Sequence, residues 1–282
     1  MTLGVKTFVV PDSAKGPDGV EDKLAIDEKK KRFVIADGVS ASYLPDIWAD
    51  IITNSFVNSD VLPEQFLEKI DEKSFDQMKK NYSCRSAEYE STLDGLEARR
   101  LSRVKKLFGN AASTIAGLYI EGNLAHFLVL GDSCIFFVYD DGMHVYSCVK
   151  DKYSFDNIPD CWSSSGDISG SPVTGSVRLK SGYIVMATDE LAKWFWRYQD
   201  EDKSIVDNLW RNESLKDFEN FITNERLSQR MKDDDVALVI IKMTNAIDTA
   251  KPMPMQPNKP NNGSSFSMWK WLFEKIIKFF HF

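Results

Sequence analysis

The chain has 282 residues, 43% of them apolar and 27% charged, and a formal net charge of −7. This composition suits a soluble globular protein with a sizeable core and no need of disulfides. It excludes a basic nucleic-acid binder, and no segment reaches the roughly 20 apolar residues of a membrane span. The four cysteines, Cys84, Cys134, Cys148 and Cys161, form no C-x-x-C pair. They read as reduced, mostly buried thiols in a reducing compartment. The first residues, MTLGVKTFVVPDSAKG, hold no apolar run of signal-peptide length. The expected location is the cytoplasm.

In chain order, residues 5–10 form a short β-rich run, and residues 11–21 carry turn chemistry with Pro11, Gly16, Pro17 and Gly19. Residues 23–27 and 32–36 are two more strands, the second running into Asp37-Gly38. Residues 45–57 have helical spacing, with Ile47, Trp48, Ile51, Ile52 and Phe56 on one face. Helices are expected over 65–80 and 86–108. Strands 113–120 and 124–130 meet at Glu121-Gly122-Asn123, and strands 135–139 and 144–149 at Asp140-Asp141-Gly142, both hairpin signals. Residues 150–176 read as a surface excursion. Residues 183–187 form a strand, 190–228 a helical stretch, and 236–243 a last strand. Hairpin-linked strands with helices before and after predict antiparallel sheets covered by helices.

Aspartates abut four of the apolar strands: Asp37, Asp132 and Asp189 follow one, and Asp234 with Asp235 precedes the last. A lone aspartate after a strand is usually a turn or cap residue. Four such strand ends can converge at one edge of a sheet, where gathered carboxylates repel one another and lose solvation. A hard divalent cation such as Mg²⁺ or Mn²⁺ resolves that conflict. It also supplies what two-metal hydrolysis needs, a bridging carboxylate and an acidified water.

Over roughly residues 5–243 the order of these pieces resembles the PP2C (PPM) family of metal-dependent Ser/Thr protein phosphatases, as a divergent, bacterial-like member. The motifs are the acidic pair Glu21-Asp22, then Asp37-Gly38 after a strand, Ala112-Ser113-Thr114, Gly131-Asp132-Ser133-Cys134, Thr188-Asp189-Glu190-Leu191 and Asp234-Asp235-Val236. The resemblance implies an α+β fold, a four-layer α/β/β/α sandwich of two antiparallel sheets flanked by helices. It implies phosphoserine and phosphothreonine hydrolysis on protein substrates with two Mg²⁺ or Mn²⁺ ions, and a third in some members. Asp37 would bridge both metals and the Gly38 carbonyl would complete one shell. Asp189 and Asp234 would bind the other metal, and Asp132 the third. Asp22, beside Glu21, would hold the water nucleophile, so Asp22 and Asp37 are the expected catalytic pair.

Several positions depart from the family pattern. The glycines after Asp-Gly are replaced around Ser40, Ala41 and Ser42, Cys134 stands for an arginine, and Glu190 for a glycine. Where a phosphate-binding arginine is usual the chain has Pro17 and Asp18, with Lys15 nearby. His126 and His144 sit within strands and are read as structural. These departures motivate an alternative, a catalytically weak or silent PP2C-fold regulatory module. A metal-dependent nuclease would share the chemistry but would need basic surface sequence.

The phosphatase domain is expected over residues 1–245, followed by a Pro/Asn/Gly-rich linker over 246–266. Residues 267–282 carry Trp269, Leu272, Phe273, Ile276 and Phe280 against Lys270, Lys275 and Lys278. That spacing predicts an amphipathic helix that docks on a partner protein or a membrane surface, or packs on its own domain.

Overall fold

A computed structural model describes residues 1–244 except 15, 17, 18, 71 and 156–158. The linker, the C-terminal helix expectation and the positions of Lys15, Pro17 and Asp18 lie outside the described residues. The strands are β1 (Thr2–Val10), β2 (Lys23–Asp27), β3 (Arg32–Ala36), β4 (Ala112–Ser113), β5 (Ile115–Glu121), β6 (Leu124–Leu130), β7 (Cys134–Tyr139), β8 (Gly142–Tyr146), β9 (Trp162–Ser163), β10 (Val173–Arg178), β11 (Gly182–Ala187) and β12 (Val236–Thr244). The helices are α1 (Pro45–Asn58), α2 (Pro63–Lys69), α3 (Glu72–Thr92), α4 (Gly95–Phe108), α5 (Asp189–Glu201), α6 (Ile205–Arg211) and α7 (Leu215–Leu227). No helix among them is long and apolar enough to cross a membrane.

Two five-stranded sheets, ordered β1-β12-β11-β7-β8 and β10-β6-β5-β3-β2, are antiparallel throughout. Their inner strands read as unbroken apolar runs because both faces are buried, and the period of two divides each run between two cores. In β3, Phe33 and Ile35 face the core between the sheets while Val34 faces the helices. In β7, Ile135 and Phe137 enter the inter-sheet core while Cys134 and Phe136 pack against the other helical layer. In β12, Val239 and Ile241 alternate in the same way with Leu238 and Ile240.

The outer layers are amphipathic helices. The stripe expected on α1 is buried, with Ile47, Trp48, Ile51, Ile52 and Phe56 set against the second sheet. On the opposite side Leu191, Phe195, Leu209, Phe218 and Ile222 of α5–α7 cover the first sheet. The architecture is the expected four-layer α/β/β/α sandwich.

Some boundaries differ from the expected ones. The break placed between 80 and 86 falls inside α3, and the chain breaks at Asp94-Gly95 instead, where Gly95 adopts φ 48°. Tyr82 carries α3 through that stretch. Its ring packs edge-on to Trp48, and its hydroxyl donates to the Tyr43 carbonyl. Within the expected surface excursion begins β10, which extends the second sheet beside β6. Its sequence VTGSVR alternates half-buried and exposed residues, as an edge strand should.

Candidate active site

Antiparallel pairing brings the acidic strand ends together. Lys23 pairs with Ala36, so the start of β2 and the end of β3 place Asp22 and Asp37 at the same edge. Ala187 pairs with Leu238 and with Cys134, so Asp189, Asp234 and the Asp132 turn share the corresponding edge of the other sheet. All of the expected site residues, Asp22, Asp37, Gly38, Asp132, Asp189 and Asp234, line one cleft of about 280 Å³, together with Glu21 and Asp235. Among the described residues no lysine or arginine lines it.

Each carboxylate is held by its surroundings. The Asp37 N–H donates to Thr114 Oγ1 at 3.0 Å, and the Asp37 carbonyl accepts from Ser113 Oγ and the Thr114 N–H, both at 2.9 Å. Those bonds give the small Ser113-Thr114 pair its role. Gly38 is required because a Cβ there would lie 2.9 Å from the carbonyl carbon of Pro45, where α1 begins. Gly131 adopts φ 98°, and a Cβ would meet the Asp160 carbonyl at 2.6 Å, so the turn presenting Asp132 needs glycine. Asp22 is buried, and its Oδ2 accepts from Thr188 Oγ1 at 2.6 Å. Thr188 Oγ1 accepts in turn from the Ala237 N–H at 2.8 Å, so one hydroxyl stitches the two sheets together beneath the cleft. Asp189 opens α5, where its Oδ1 accepts from the Glu190 N–H at 2.6 Å.

The neighbouring Asp234 and Asp235 do different work. Asp235 is buried and accepts the backbone N–H groups of Asp12 and Glu21, each at 2.8 Å, so it clamps the N-terminal loop. Asp234 is exposed and acts on Asp189 electrostatically. The residues that depart from the family pattern are structural here. Ser40 Oγ donates to Glu21 Oε2 at 2.6 Å, and Ser42 Oγ accepts the Ala112 N–H at 3.0 Å, so both tether the loop after Gly38. Glu190 is buried and accepts the Lys232 N–H at 2.6 Å, holding the turn that leads to Asp234. Cys134 lies in the core beneath the helices, and it is the one buried member of four free cysteines, fewer than expected. His126 Nδ1 lies 2.7 Å from Glu64 Oε1 on α2, and neither His126 nor His144 borders the cleft.

The gathered charges raise one another's proton affinity. Burial, followed by the charges of Asp22, Asp189 and Asp132, holds the Asp37 carboxyl well above the usual range. Burial also raises Asp22, aided by Asp189 and Asp235 and opposed by the Thr188 hydrogen bond. Asp189 is pushed up to about 7 by burial and by Asp132 and Asp234. An all-oxygen, anionic donor set of this kind fits hard divalent cations. No three of these side chains are closed into a ready cage among the described residues. That is compatible with Mg²⁺-type binding, in which one or two carboxylates and several waters complete each shell. The signal for Asp235, Thr188 and Ser40 as positioning residues was available only as adjacency to the motif residues. Their partners are far away in sequence.

No family model and no curated protein matches the sequence. Solved structures match its fold. The serine/threonine phosphatase Stp1 from Staphylococcus aureus matches at 13% identity with a TM-score of 0.54, covering 87% of this chain and 96% of its own. The Mycobacterium tuberculosis phosphatase PstP/Ppp matches at 12% identity and 0.53, covering 87% and 100%. The PstP catalytic domain in complex with two manganese ions matches at 13% and 0.52, covering 86% and 99%. The fold is that of the PP2C-type bacterial serine/threonine phosphatases.

Proposed function

We propose that this chain is a metal-dependent protein phosphatase that hydrolyses phosphoserine and phosphothreonine on protein substrates. The observation that carries this reading is the convergence of Asp22, Asp37, Asp132, Asp189 and Asp234 in one cleft with no side-chain cation among the described lining residues. A cleft that holds its carboxylates at such raised proton affinity is costly to keep unless cations bind there. The manganese complex of a protein with the same fold supports the choice of Mg²⁺ or Mn²⁺.

Asp37 would serve two cations, with the Gly38 carbonyl completing one shell, Asp189 and Asp234 on the second cation, and Asp132 on a third. When bound, the cations supply charge neutralisation at the phosphoryl oxygens and a nucleophile at neutral pH. Asp22 would orient the attacking water, with one of its oxygens committed to Thr188, which fixes the carboxyl plane. Val39, Ser40 and Ala41 form one wall of the cleft, and the Ser40 hydroxyl tethers Glu21. Four free thiols agree with action in a reducing, cytoplasmic compartment.

The test is phosphopeptide turnover in Mn²⁺ by the native chain and by Asp37→Asn. The variant should lose on the order of 10³-fold, about 4 kcal/mol of transition-state stabilisation. Native-like turnover by Asp37→Asn would sink the two-metal mechanism, and no turnover by the native chain with Mg²⁺ or Mn²⁺ would mark a silent regulatory module.

A further inference from the structure

The acidic total of the chain hides one strongly basic element. Helix α4, GLEARRLSRVKKLF, holds five cations and one acid, in a chain whose net charge is −7. Its inner face is shallow: Leu101 and Val104 are only half-buried, Lys105 pairs with Glu90 at 2.6 Å, and no residue of α4 is fully buried. Its outer face carries Leu96, Arg99, Arg100, Arg103 and Leu107 at helical spacing, with Lys106 alongside. All are exposed, and Leu96 and Leu107 retain 81% and 76% of their surface in water. Among the described residues Arg99, Arg100, Arg103 and Lys106 have no ion-pair or hydrogen-bond partner. Scattered exposed leucines are ordinary, but two set in line with unpaired arginines on one convex face are not.

We propose that the outer face of α4 docks on an anionic lipid bilayer. Two observations choose this partner. The face is cationic and apolar together, so leucines can enter the acyl boundary while the long arginine side chains reach back to headgroup phosphates. It is a convex helix surface of 14 residues, roughly 21 Å long, which a flat fluid surface can meet along its whole length. The inference does not depend on the catalytic reading, because its readout is partitioning.

The experiment is cosedimentation of the full chain with phosphatidylcholine vesicles, with and without phosphatidylglycerol, in low and high salt. The native chain should bind only the anionic vesicles and release in high salt. Arg100→Gln with Arg103→Gln should weaken partitioning about 30-fold, the loss of two surface cations. Leu96→Asn with Leu107→Asn should weaken it too, with the salt dependence kept. Both double variants should melt like the native chain, since all four side chains are exposed. No anionic-vesicle binding by the native chain, or unchanged partitioning by both double variants, overturns the proposal. So does binding to polyglutamate or duplex DNA without any preference for phosphatidylglycerol.

Discussion

The Asp189→Asn variant separates stability from activity in a way that only a charge-crowded cation site predicts. Asp189 binds its proton with a pKa of about 7 in the fold against 3.8 for an ordinary aspartate. Its ionised form is therefore disfavoured by folding. The stability contribution is fully present below about pH 4 and is lost as pH rises through about 7. Three pH units at about 1.36 kcal/mol each set a ceiling of about 4 kcal/mol. Neighbouring carboxylates share that strain, so about 1–3 kcal/mol should be recovered by the neutral side chain. Asparagine keeps an oxygen to accept the Glu190 N–H now bonded at 2.6 Å, so the start of α5 is preserved. In chelator at pH 8 the variant should melt several degrees higher than the native chain, at roughly 2–4 °C per kcal/mol. The gap should narrow by pH 5 and vanish near pH 4. Saturating Mn²⁺ should invert the order, because only the native chain keeps its full affinity. Thermal scans by circular dichroism at these pH values, with and without Mn²⁺, provide the measurement. A variant that is less stable than the native chain at pH 8 in chelator, or a gap that ignores pH, would refute the reasoning.

Asp132→Ala should lower turnover while leaving two tight Mn²⁺ sites in calorimetric titration, because Asp37, Asp189 and Asp234 remain; loss of both sites would contradict this. Thr188→Val should cost about 2–4 kcal/mol in urea unfolding and reduce turnover as well. The change strips the buried Asp22 carboxyl and the Ala237 N–H of their shared partner. Gly38→Ala should destabilise by about 1–3 kcal/mol, since the new methyl meets Pro45 at 2.9 Å and must displace the start of α1. Its turnover should fall further than that stability loss explains, which parallel melting and phosphopeptide assays would show.

Local chemistry made much of this protein legible from its sequence. The runs RFVIA and GYIVMA could be read as buried strands because both faces are apolar, and the stripe on α1 because Ile47, Trp48, Ile51, Ile52 and Phe56 recur at helical spacing. The acidic strand ends were visible as residues, and their motif order carried the expectation that they meet. Tertiary structure decided what depends on partners distant in sequence. It divided Asp234 from Asp235, because only packing brings the N–H groups of Asp12 and Glu21 to one of two adjacent, chemically identical side chains. It carried α3 through Tyr82, because a contact with Trp48 outweighs a weak local preference. It added β10, because an edge strand with one wet face and a glycine has little apolar pattern of its own. It also turned the arginines of α4 outward without partners, a fact that the net charge of the whole chain conceals because charge sums carry no positions.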